Sequence, residues 1–151
     1  IGKKYCNMIR QRIYLKHYKW EAWIYYAVDD YYTDEIMLRL NDIGCSRHDL
    51  RSAYDNLSSG EMNSGLTYSN FYGRKSVIVI AITSTAKEFA KSWRHEMGHL
   101  ATHIAIANKI DLTGEEVQYI GDDIVGETWE VAQLFLCECK CCRNKKIKRI
   151  G

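Results

Sequence analysis

Between Ser76 and Lys109 the hydrophobic pattern changes period once, and that change dictates most of the architecture. "SVIVIAIT" is a run of β-branched residues without a charge, the composition of a buried strand. It passes directly into "STAKEFAKSWRHEMGHLATHIAIANK", where Phe89, Trp93, Leu100, Ile104 and Ala107 recur at helical spacing. Ser84 or Thr85 supplies the N-cap and Glu88 an early acid. A helix that long with an apolar stripe along one side needs a second layer to cover it.

The flanking segments supply that layer. Tyr18 to Val28, "YKWEAWIYYAV", is aromatic and β-branched and reads as a strand. Thr33 caps a short helix stopped by Gly44, and Ser46 opens another with Leu50, Ala53, Tyr54 and Leu57 on one side and Gly60 beyond its end, so the two predict a helical hairpin. "GLTYSNFYGRK" gives a strand near Leu66 to Phe71 and a turn at Gly73. A last helix is expected from about Thr113 to near Cys137, carried by Val117, Ile120, Ile124, Trp129, Leu134 and Phe135 despite two interior glycines. The expectation is an α+β fold in which a small, mostly antiparallel sheet packs on the long helix and on the C-terminal helix that follows it. With no proline, repeat or low-complexity tract to mark a boundary, residues 1–151 read as one domain, 143–151 being a flexible basic tail.

Composition narrows the partners. A net charge of +2 argues against nucleic acid as the main partner, although Arg143, Lys145, Lys146, Lys148 and Arg149 crowd the end. The apolar run Val77 to Ile82 falls far short of the ~20 residues of a membrane span. Basic residues interrupt the N-terminal stretch, which argues against a secretory signal, so a cytoplasmic location is expected. Four of six cysteines, Cys137, Cys139, Cys141 and Cys142, fall in "CECKCC", too tight a cluster to staple a secreted fold. They read as reduced thiols packed at a helix end, although Cys139 and Cys142 form a C-x-x-C pair able to hold half a zinc site.

The chemistry concentrates in "HEMGH". His95 and His99, four apart on a helix, project from one face a single turn apart, as two ligands of one zinc require. Glu96 is rotated aside, placed to act as general base on a water rather than as a ligand. A shuffle of this composition would contain H-E-x-x-H roughly once in a hundred times, so the surroundings must add weight. They do: the motif lies mid-helix, a strong strand precedes it, and Gly98 keeps the neighbouring surface small. His103, two turns beyond His95, reads as a partly buried polar residue. A catalytic zinc takes a third protein donor. No histidine stands ten residues after the first, where Ala105 is found, so the donor is sought in "TGEEVQYIGDD". Glu115 is preferred, with Glu116 its rival; Tyr119 would share its face as a hydroxyl near the reacting oxygen, and Asp122 and Asp123 would orient the imidazoles.

From "SVIVIAIT" through "HEMGHLATHIA" to "GEEVQYIG" the chain resembles a minimal zincin of gluzincin type and is similar to small metallopeptidase-like proteins of Bacteroides phages and prophages. The likeness covers about residues 76–125. It implies a zincin-like fold and zinc-dependent hydrolysis of a peptide or protein substrate, bound as an extra strand on the edge formed by "GLTYSNF" or "SVIVIAIT". The alternative is a phage accessory or structural binding protein that keeps the scaffold without catalysis.

Overall fold

The computed structural model describes residues 9–28, 33–59 and 65–150, with the backbone alone for Arg143 and 147–150. Strand β1 (Ile9–Leu15) turns through a short 3-10 segment at Lys16–Tyr18 into β2 (Trp20–Val28). Helices α1 (Thr33–Asp42) and α2 (Arg47–Ser58) follow, then β3 (Gly65–Asn70), β4 (Lys75–Ala81), α3 (Ala86–Ala107), α4 (Glu115–Leu136) and α5 (Lys140–Ile150). The fold is α+β, as expected. Two elements are additional to the sequence reading: β1, and α5, which occupies most of the segment taken for a tail.

The four strands form one sheet in the order β1-β2-β4-β3. β1 pairs antiparallel with β2 and β3 with β4, whereas β2 and β4 run parallel. The parallel pair is possible because α1, α2 and β3 intervene, enough chain to carry β4 back to the starting end. Ala27, at φ 58, marks a bulge where the β2–β4 register shifts between Tyr25 and Val28.

Alternation along the strands sends side chains to two cores. Tyr25, Val77, Val79 and Leu66 pack against Ile36, Leu40, Ala53 and Leu57 of α1 and α2. Ala22, Ile24, Tyr26, Ile78 and Ile80 pack on the opposite face against Phe89, Leu100 and Ile104 of α3 and Ile120, Ile124 and Val131 of α4. Within that layer α4 lies over β1, and α3 over β4 and β3. Among the described residues, no helix is long and apolar enough to cross a membrane.

The ends of α3 are set locally. Thr85 Oγ1 accepts from the Glu88 N–H at 3.1 Å, the capping bond expected for one of the two candidates. At the other end Ile110 N–H reaches Ala105 O at 2.8 Å and Lys109 N–H reaches Ile106 O at 3.2 Å, a Schellman arrangement. It places Lys109 at φ 55, where glycine is the unstrained choice.

Candidate metal centre

The middle of α3 has three surfaces with different surroundings. Met97 and Ala101 are buried toward α4, lining a groove of about 560 Å³ with Val117, Gly121 and Trp129. At 3.6 residues per turn, His95 and His99 stand about 160° either side of Met97, pointing away from α4. Because α3 lies over β3 and β4 while α4 lies over β1, away from α4 means toward the open edge of β3. Both histidines are exposed.

Their imidazoles meet edge to face, ring centroids 4.7 Å apart and planes at 81°. The two Nε2 atoms are separated by 3.1 Å. Nitrogens on one tetrahedral zinc, each at about 2.05 Å from it, stand about 3.3 Å apart. The observed spacing therefore suits joint ligation with little rotation, and it equally suits an N–H···N hydrogen bond in which one ring donates to the other.

Glu96 points from the sheet-facing side of the same turn. It is 2% exposed, and its Oε2 accepts from Thr67 Oγ1 of β3 at 2.8 Å. His95, Glu96 and His99 each offer a ligand atom within 4.8 Å of the others. The donor set of two imidazoles and a carboxylate suits zinc. The hydroxyl of Thr67 is a neighbour of Glu96 that the sequence reading missed. The available signal was period two: in "GLTYSN", Thr67 and Ser69 occupy the positions that turn toward α3, opposite Ile78 and Ser76.

A polar chain continues along that line. Trp20 Nε1–H donates to Ser76 Oγ at 2.8 Å, Ser76 and Ser69 share a hydrogen bond of 2.6 Å, and Ser69 Oγ meets His103 Nδ1 at 2.7 Å. His103 is half-buried against Phe71, and burial first, then the neighbouring His99, pull its pKa below the ordinary value. It lies outside the metal-capable group.

The acids expected from α4 do not join the histidines. Glu115 is exposed and accepts from Tyr119 O–H at 3.1 Å, so those two residues pair with each other, as their spacing suggests. Glu115 is not brought to His95 and His99: the group of mutually close donors does not include it. The reason is register. Trp93 meets Trp129 and Phe89 meets Phe135, so the antiparallel helices place the first turn of α4 level with the end of α3. From His99 to Ala107 α3 rises about 12 Å, which is how far Glu115 is displaced along the axis. Glu116 and Asp123 face Tyr18, whose phenol is raised by burial first and by those two carboxylates next. Asp122 borders both the α3–α4 groove, with Arg94 and Gly98, and a second groove that it lines with Asp123, Lys16, His17 and Tyr18; neither acid belongs to the donor group at the imidazoles they were expected to orient.

Cys137, Cys139 and Cys142 form a second metal-capable group among the described residues, at the α4–α5 junction. Comparison with protein-family models, with curated proteins and with solved structures returns no match.

Proposed function

We propose that this chain is a zinc-dependent peptidase in which His95 and His99 hold the metal and Glu96 is the general base. One observation carries the reading: an imidazole pair at ligand spacing overhangs the open edge of β3, with a buried carboxylate beside it. Bound zinc would supply Lewis acidity to a substrate carbonyl and acidify an attacking water. Glu96 accepts the proton of that water, and Thr67, by donating to Oε2, fixes which way the carboxylate faces. Of the two strands considered as the substrate edge, β4 is enclosed between β2 and β3, leaving β3. An extended peptide adding to β3 runs beneath the histidines, with its main chain paired to the strand.

Among the described residues no acid of α4 joins the close donor group, so His95 and His99 would leave the other positions to solvent and substrate. That shortage favours a second reading, a metal-binding scaffold without catalysis. Zinc-loaded wild type and Glu96→Gln, assayed against a peptide library, separate the two. The peptidase reading expects cleavage that falls by about 10²–10⁴ in Glu96→Gln while zinc is retained. Zinc bound through His95 and His99 with no cleavage of any member selects the scaffold.

A further inference from the structure

We propose that Cys137, Cys139 and Cys142 form a second metal site, a three-thiolate centre for a soft d10 cation such as zinc. The three residues belong to different local structures. Cys137 ends α4 in extended conformation, Cys139 lies between the helices, and Cys142 is in the first turn of α5. Their Sγ atoms nonetheless converge within 4.8 Å of one another. Sulfurs on one tetrahedral zinc, at about 2.3 Å from the metal, stand about 3.8 Å apart, so loading requires a contraction of about 1 Å at most.

The backbone is arranged for negative sulfur. Cys139 N–H donates to Cys137 Sγ, and Cys142 N–H donates to Cys139 Sγ, each at 3.4 Å. All three thiols are free, and an odd number cannot be consumed by disulfides within the group. The set contains sulfur alone, which selects soft cations and rejects magnesium and calcium. Ligation converts three thiols to thiolates and releases their protons to solvent, with no change of oxidation state.

This centre is separate from the histidines. Glu138 Oε1, in the middle of the cysteine segment, accepts from Ala86 N–H at the start of α3 at 3.1 Å. His95 lies about 14 Å further along that helix. A metal here ties α5 to α4 and, through Glu138, to the N-terminus of the helix that bears His95 and His99.

The test is anaerobic titration of the reduced full chain with Co(II), read by sulfur-to-cobalt charge-transfer absorption, which imidazole and carboxylate ligands do not produce. Expected are a band that saturates at one equivalent of thiolate-bound cobalt, its bleaching by Zn(II), its loss in Cys139→Ser and its persistence in Cys141→Ser, because Cys141 lies outside the group. In parallel, zinc should shield Cys137, Cys139 and Cys142 of the wild type from alkylation, mapped by mass spectrometry, while Cys141 is modified; this readout needs no variant to fold. Absence of the band, its survival in Cys139→Ser, or alkylation of all three cysteines in the presence of zinc overturns the proposal.

Discussion

Replacing Thr67 by Val tests the contact that orients the proposed base. Glu96 is 2% exposed and its Oε2 accepts from Thr67 Oγ1 at 2.8 Å. A hydrogen bond to a charged group contributes about 1.5–3 kcal/mol. Valine matches threonine in shape and suits a strand, so neither a cavity nor a propensity change obscures the loss. The expected destabilisation is about 2 kcal/mol, which at about 2 kcal/mol/M lowers the urea midpoint by about 1 M. Equilibrium unfolding of metal-free protein, followed by circular dichroism, measures it. In a Glu96→Gln background the same substitution should cost nearer 1 kcal/mol, because a neutral acceptor gains about half as much from the hydroxyl. A change below about 0.5 kcal/mol in the Glu96 protein, or an equal cost in both backgrounds, refutes the reasoning.

Lys109→Gly relieves a positive φ at the end of α3 and should stabilise the protein by about 1 kcal/mol, read as a higher urea midpoint. Gly126→Ala in α4 places a methyl group where nothing lies within 4 Å, and should add about 1 kcal/mol in the same assay, since glycine is the poorer helix former. In metal-free reduced protein the Cys142 N–H, foremost, lowers the Cys139 thiol to about 7, whereas the bond to Cys139 pushes Cys142 up to about 11. Iodoacetamide at pH 7.5 should therefore label Cys139 well before Cys142, with a rate that levels off above pH 8. Glu21, bonded by Arg12 and then by Trp23, has a folded pKa below the ordinary value. Its stabilisation is present above the usual carboxylate range and is lost as pH falls through the lowered value. Unfolding midpoints measured from pH 6 to pH 2.5 should therefore fall less steeply in Glu21→Gln.

Much of this fold could be read from residue order, and the places where it could not have physical causes. The period change at Ser84 located β4 and α3 because both faces of the pattern are strong, and Thr85 and Ser46 act as caps where their residue types say they should. β1 was missed because its inward positions, Ile9, Gln11, Ile13 and Leu15, include a polar residue, and two of its outward ones are the arginines Arg10 and Arg12. Gln11 is accommodated by accepting from Tyr26 O–H at 2.7 Å, a partner fifteen residues away. α5 carries no apolar stripe that would distinguish it from a solvated tail. The parallel pairing of β2 with β4 rests on a crossover that local patterns do not encode. His95, Glu96 and His99 were legible because four-residue spacing on a helix is geometry in itself. Glu115 stays outside the close donor group for a reason contained in the same helix: α3 continues two turns past His99, so a short loop starts α4 level with the end of α3 and not with the histidines.

The ligation of one metal by His95 and His99 is tested most directly by long-range ¹H–¹⁵N correlation spectra of the imidazoles during zinc titration of the full chain. The account predicts that the Nε2 signals of these two histidines, among the five in the sequence, move together to metal-bound positions as one equivalent fills the site, and that His103 keeps its free-ring pattern. If both Nε2 signals stay where they are and one ring keeps its proton throughout, the close pair is a hydrogen bond and the metal centre does not exist.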